Sequence, residues 1–181
     1  NHYGSTFFDM ETMFKKVGTA TAMCVDIYDA ALAKKYKLSV RKISSFPLYV
    51  GIPCNIEFHS GQTIPLEALS GYSIALPPKG RAKVFDILHK ELRQKVPDIK
   101  IEAIEEYTIH SMNECSMKQQ FVLITQNQIA HYPFFSFAPL DTAQMVDFGV
   151  YYKKHDEKIN RRNKTYSIIF SLSIAYFLLN V

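Results

Sequence analysis

The stretch from Ile64 to His110 constrains the fold more than any other part of the chain, because its apolar residues change period twice. Pro65 to Leu69 reads as a short helical turn, and Ser70-Gly71 leads into a brief apolar strand, Tyr72 to Leu76. Pro77-Pro78-Lys79-Gly80 then breaks the pattern, since proline fixes φ and removes a backbone donor. From Arg81 onward Val84, Ile87, Leu88 and Leu92 fall on one helical face, with Asp86, Lys90, Glu91, Arg93 and Gln94 on the other. Pro97-Asp98 closes that helix, and Ile99, Ile101 and Ala103 alternate with Lys100 and Glu102 as a strand. Thr108 or Ser111 offers the next N-cap, with Glu114 three residues after Ser111. A β-α-β-α order predicts parallel neighbouring strands and a ligand position at their carboxyl ends.

The flanks extend this pattern. Ser5 or Thr6 can cap a first helix with the stripe Phe7, Met10, Phe14 and Val17, which Gly18 stops. Thr21 to Ile27 reads as a buried strand. Asp26, near its carboxyl end, has two open explanations: it caps the turn into Tyr28-Asp29-Ala30, or it faces a cleft. Leu38 to Ser44 alternates as one strand, and Leu48 to Ile52 reads as a second, fully buried one. Asn55 to Thr63 is a polar loop. Phe121 to Ile124 is a short buried strand, Gln126 to Ala130 a turn of helix, and Val146 to Tyr152 a last strand. The aromatic run His131 to Leu140 could stack bases. With no Lys or Arg beside it, it reads instead as an extended segment packed over a core.

Composition removes several classes of function. The 181 residues can bury a full core, and a net charge of +4 with scattered basic residues does not form a nucleic-acid footprint. Cys24, Cys54 and Cys115 are odd in number and widely spaced, which speaks against a disulfide framework or a zinc ribbon and for a reducing cytosol. The chain opens on no export signal. Tyr166 to Val181 is almost uncharged and follows Arg161, Arg162 and Lys164. It falls short of the about 20 apolar residues of a membrane span. Serines at 167, 171 and 173 interrupt it, so a terminal helix docked on a sheet or on a neighbouring subunit is expected.

No phosphate-binding or dinucleotide-binding glycine motif is present, and the six histidines have no metal-ligand spacing. Lys79-Gly80-Arg81 before a helix is a weak anion pattern whose default reading is a turn. Glu102, Glu105 and Glu106 read as exposed residues at the end of a strand. No catalytic residue and no cofactor are assigned.

Four segments in order resemble the effector-binding domain of LysR-type transcriptional regulators. They are G-S-T-F-F-D-M…V-G-T-A-T-A-M-C-V-D-I, then L-Y-V-G-I-P…I-P-L-E-A-L-S-G-Y-S-I-A-L, then F-D-I-L-H-K-E-L with P-D-I-K-I-E-A. The last is F-V-L-I-T-Q…P-F-F-S-F-A-P-L…F-G-V-Y-Y-K-K. The resemblance runs from about Gly4 to Tyr152. It implies an α/β fold of two Rossmann-like subdomains with a central cleft, similar to type 2 periplasmic binding proteins. By position, residues 1–48 and 147–181 would form subdomain I and residues 49–146 subdomain II, with crossovers near Phe46 to Val50 and Met145 to Gly149. A small effector, expected to be anionic, would bind in the cleft at Ser5 beside Gly4, at Asp26, and at Tyr107, Thr108 and Ile109.

The implied protein is a cytoplasmic, non-catalytic homodimer or homotetramer, away from any membrane. It would act on promoter DNA through an N-terminal winged helix-turn-helix that this sequence lacks, as it lacks the family's first strand, ligand-binding turn and dimer-forming helix. Thr21 stands where the family's G-x-x-D segment has an acid, and Gln119-Gln120-Phe121 stand where it usually has glycines. The apolar tail also departs from a typical last helix. The alternatives are a small-molecule-binding protein of related fold without a DNA partner, or a cytosolic α/β enzyme using Asp26 or a histidine.

Overall fold

The computed structural model describes residues 10–19, 23–58 and 63–153. Its contacts divide the chain into two compact units. One holds Ser44–Asp147 together with Met10; the other holds Glu11–Ile43 and the chain from Phe148. Strands β2 (Ser39–Pro53) and β8 (Met145–Tyr152) each contribute residues to both.

In the first unit, β4 (Ser73–Leu76) lies between β5 (Lys100–Ala103) and β6 (Phe121–Thr125), parallel to both. The register sets Ile74 opposite Ile101 on one side and Phe121 on the other. The parallel pairing expected for the β-α-β-α stretch is therefore present, and among the described residues β5 ends the sheet. β6 pairs antiparallel with β2, Tyr49 opposite Ile124. β7 (Phe135–Asp141) also pairs antiparallel with β2, and the short β3 (Ile64–Pro65) runs parallel to β7. Every residue of β6 is buried, and so are Ile74, Ala75 and Leu76 of β4. Apolar runs of this kind are stable only when both faces of the sheet are covered.

Two helices of the β-α-β-α stretch accompany these strands: α3 (Lys83–Lys95) and α4 (Ile109–Met117). In α3 the buried stripe is Phe85, Leu88, His89 and Leu92, while Val84 and Ile87 are only half-buried. This shifts the face expected from the sequence by part of a turn. The large Phe85 ring takes a core position. His89 can be buried because its Nε2 reaches the Pro77 carbonyl at 3.0 Å. A carbonyl only accepts, so Nε2 carries the proton, and the buried Nδ1 has no partner. A 3-10 turn, Leu66–Leu69, precedes β4 as the sequence suggested.

The second unit contains α1 (Met10–Lys16) from Glu11 onward, β1 (Met23–Ile27) and α2 (Ala30–Lys35). Gly18 adopts φ 79°, the left-handed conformation that ends a helix without strain in a glycine, so the predicted stop is where it was expected. β1 pairs antiparallel with β8, Asp26 opposite Gly149. It is not the uniformly buried strand anticipated. Cys24 and Ile27 are buried, whereas Val25 is exposed and Met23 and Asp26 are half-buried.

The sequence pattern did not mark α2, which at six residues is too short to show a period. Its cap is Asp29, whose carboxylate accepts from the Leu32 N–H at 2.9 Å, so Asp26 is not the capping residue. The two strands expected at Leu38 to Ser44 and Leu48 to Ile52 are one, the 15-residue β2, with Pro47 just before its paired stretch with β6. The expected caps at Ser5 or Thr6, His59, and the charged and apolar tail beyond residue 153 lie outside the described residues.

Candidate functional site

The junction between β5 and α4 borders an open pocket of about 370 Å³, formed within the first unit. The chain leaves β5 at Ala103 and enters α4 at Ile109, and three successive positions there have three different fates.

Tyr107 is buried in a cluster with Ile104, Met112, Cys115 and Val122. Its hydroxyl donates to the Leu123 carbonyl at 2.7 Å, and its own carbonyl accepts from the Tyr132 hydroxyl at 2.8 Å. Burial raises the phenol's pKa well above the usual range, with the Tyr132 and Cys115 charges adding to it, so it stays a neutral donor. Tyr107 fixes the junction from below and does not line the pocket. Ile109 is 72% exposed and is not among the lining residues either.

Thr108 does line the pocket and is the N-cap of α4. Its Oγ1 accepts from the Ser111 N–H at 3.1 Å, and its own N–H donates to Ser111 Oγ at 3.0 Å. This reciprocal box satisfies two of the donors a helix start leaves open. The sequence had offered Thr108 or Ser111 as cap with Glu114 as the return partner. In the structure Thr108 caps, and Ser111 supplies the return bond. Among the described residues the N–H groups of Ile109 and His110 have no such side-chain acceptor, and they stand at the positive end of the helix dipole.

The charge of the pocket was not foreseen. Glu102 from β5, Glu105 and Glu106 from the connection, and Glu114 from α4 all line it, opposed by Lys118 and by His110. Glu102, Glu105 and Glu106 had read as ordinary exposed residues and Glu114 as a partner for the cap, and all four are exposed. Only the fold brings strand, connection and helix face together. An anion reaching the α4 N-terminus thus meets four carboxylates.

Ser5 and its neighbour Gly4 lie outside the described residues. Asp26 belongs to the second unit. It is half-buried, and its Oδ1 accepts from the Ile27 N–H at 2.6 Å. Among the described residues no group of three or more His, Cys, Asp or Glu side chains is arranged to hold a metal ion.

Cys24 and Cys115 are not primed as nucleophiles. Burial, reinforced by Asp26, pushes the Cys24 thiol up to about 11. Cys115, beside the pocket, is raised mainly by burial, with Lys118 pulling down and Glu102 and Glu114 pushing up. Cys54 is exposed. At neutral pH an alkylating reagent should therefore modify Cys54 rapidly and the other two only as the protein unfolds. Peptide mass spectrometry over a time course reads this directly, and equal labelling of all three would contradict it. A raised folded-state pKa holds the proton more tightly than the unfolded chain does. The contribution of Cys24 to stability is thus complete below the ordinary thiol value of 9.0 and disappears as pH rises through about 11.

No protein-family model matches the sequence, and no curated protein matches it. Solved structures do. The LysR family transcriptional regulator CbnR superposes with a TM-score of 0.62 at 13% identity, covering 81% of this chain and 51% of its own. CbnR has also been solved in full length with its target DNA. The Corynebacterium glutamicum OxyR C206 mutant gives 0.66 at 13% identity, covering 93% of this chain and 53% of its own. The VFT2 domain of Bordetella pertussis BvgS gives 0.61 at 13% identity, covering 94% and 72%. This chain has the α/β, periplasmic-binding-protein-like fold of these proteins, and it spans about half the length of the two regulators.

Proposed function

We propose that this chain is the effector-binding domain of a LysR-type transcriptional regulator, which senses a small molecule and does not transform it. The supporting observation is a fold shared with CbnR and OxyR along most of the chain at about half their length. By that likeness, the rest of the protein would carry a winged helix-turn-helix for promoter DNA, and the whole would work as a cytoplasmic homodimer or homotetramer. The effector acts by differential affinity for two states of the regulator, which is all that such signalling requires energetically.

The effector-contacting residue we favour is Thr108, with the N–H groups of Ile109 and His110 receiving a carboxylate or similar group. The glutamates add a condition. A ligand that is only anionic is opposed by Glu102, Glu105, Glu106 and Glu114, so the fitting effector also carries a cationic or hydrogen-donating end, as an amino acid does. Ser5 and Asp26 enter the reading only through their position in the family pattern. Tyr107 enters as a support for the junction.

A thermal-shift screen with simple carboxylates, amines and amino acids tests this. A zwitterionic hit should raise the melting temperature by mass action, more than its purely anionic analogue does. Thr108→Val should lower the stability of the free protein by about 1 kcal/mol through the lost cap and should shrink the ligand-induced shift. If the shift survives Thr108→Val undiminished, the site assignment is wrong. The same fold occurs in the BvgS VFT2 domain, which is not named as a transcriptional regulator, so a second reading is a binding domain with no DNA partner. A coding sequence that continues upstream into a basic helix-turn-helix would decide against it.

A further inference from the structure

We propose that Gln120 is the specificity-determining residue of the pocket beside α4, its side-chain oxygen accepting a hydrogen bond from an N–H group at the far end of the ligand. The ligand class that follows is an extended amino acid whose side chain ends in an ammonium, guanidinium or ureido group. The inference rests on the effector reading above and deepens it.

The pocket runs along α4. Ser111, Glu114, Cys115 and Lys118 line it, and their spacing places them on one face of the helix and its cap. Thr108 lines it at the start of α4, and Gln120 lines it just past the end. A helix of nine residues is about 13 Å long. A ligand that meets both ends is therefore extended and not compact.

The backbone sets Gln120 in place. Its N–H donates to the Cys115 carbonyl at 2.9 Å, and Gln119 before it takes φ 53°, a left-handed turn that swings the chain out of α4 into β6. Gln120 and Val122 stand two residues apart at the entry to a strand, so they share a face of the sheet. Val122 packs there with Ala75, Met112 and Cys115, which is the face that α4 covers.

Gln120 is only 3% exposed. Its Nε2 donates to Ser73 Oγ at 2.9 Å, which holds the amide against β4. Its Oε1 accepts from no donor among the described residues. Of the buried side-chain polar atoms among these residues, only His89 Nδ1 is both sealed from solvent and unpartnered. Gln120 Oε1 is therefore still reached by solvent, and the pocket is the surface that Gln120 lines. An amide oxygen only accepts, and leaving one buried without a donor is costly. An occupant that brings an N–H removes that cost.

The glutamates make a different demand. Glu102, Glu105, Glu106 and Glu114 attract any cation, since Coulomb attraction does not depend on whether the charge carries an N–H, and the exposed Lys118 offsets part of it. Gln120 asks for a donor, charged or not. The two demands can be measured apart.

Isothermal titration of the full 181-residue chain with L-arginine, L-citrulline and L-norleucine does so. All three present the same zwitterionic end. At the other end arginine has N–H donors and a charge, citrulline has donors without charge, and norleucine has neither. Citrulline is expected to bind about tenfold tighter than norleucine, and arginine tighter again. Gln120→Met, of similar length and without the acceptor, should bring citrulline to the affinity of norleucine while arginine keeps the advantage of its charge. The comparison within the original chain needs no variant to fold. Equal affinity for citrulline and norleucine there, or a citrulline preference that survives Gln120→Met, would overturn the role of Gln120. In either case Thr108→Val weakening all three ligands would leave the effector site itself standing. If none of the three binds, the effector reading falls and this inference falls with it.

Discussion

Phe121→Ala should destabilise the protein by about 3–5 kcal/mol and lower its melting temperature by roughly 6–20 °C. Phe121 opens β6, and its side chain is fully buried. Its ring stacks on Tyr72 at a centroid distance of 4.6 Å and an interplanar angle of 17°. Phe58 meets it edge-on at 5.2 Å and 86°. Phe58 and Tyr72 also touch, 5.6 Å apart, so truncation would remove one ring of a mutually packed three and leave a cavity. β6 is held by β4 on one side and β2 on the other, so the backbone cannot move in to fill that cavity. The loss should accordingly sit at the upper part of the range for buried aromatics. Phe121→Leu, which keeps most of the volume, should cost about 1–2 kcal/mol. Calorimetry of the three proteins measures the ordering, and an alanine variant within 1 kcal/mol of the original would show that the cluster collapses after all.

The second large effect lies in the other unit, at Tyr151. Its side chain is fully buried against Phe14, ring centroids 4.6 Å apart. Its hydroxyl donates to the Ile27 carbonyl at 2.5 Å and accepts from the Asp29 N–H at 2.8 Å. One side chain from β8 thus ties the end of β1 to the cap of α2 across more than 120 residues of sequence. Tyr151→Ala should cost about 3–5 kcal/mol as a cavity in the core of a small unit. Tyr151→Phe keeps the ring and removes only the hydroxyl. It strands a donor at Asp29 and an acceptor at Ile27, for about 1–3 kcal/mol. The two variants separate packing from hydrogen bonding. Denaturant titration should show lower midpoints with little change in slope. A phenylalanine variant as stable as the original would mean that water satisfies both stranded groups. Because the chain forms two units, Phe121 and Tyr151 could report on different transitions, and two probes should be followed in each experiment.

Much of the fold was legible because it is written in short periods. The switch from strand to helix at Arg81, the return to a strand near Ile99, the cap at Thr108 or Ser111 and the stop at Gly18 each depend on fewer than twenty neighbouring residues. The buried run of β6 was readable from its apolar side chains alone. Where the sequence pattern failed, the deciding partner was distant. β1 looked uniformly buried, yet its antiparallel pairing with β8 leaves Val25 exposed. α2 has too few residues to carry a period, and only the Asp29 carboxylate marks its start. In α3, Phe85 and His89 displaced Val84 and Ile87 from the core, because the volume to be filled and the Pro77 carbonyl belong to the rest of the unit.

The candidate site shows the same division. Its location at a strand end before a helix followed from sequence, as did Thr108. The pocket's acidity did not, because Glu102, Glu105, Glu106, Glu114 and Lys118 come from a strand, a connection and a helix whose closeness is a tertiary fact. The inward turn of Tyr107 and the outward turn of Ile109 were equally invisible, although the two are only two residues apart.

By itself, then, the sequence determined the order and type of the central elements, the parallel pairing that the β-α-β-α order implies, and a helix cap at either Thr108 or Ser111. Local propensity and hydrophobic period are sufficient for these. Only the tertiary structure decided which helix face is buried and where the glutamates gather. Those depend on which residues far apart in the chain come to share one surface, and no local pattern encodes that.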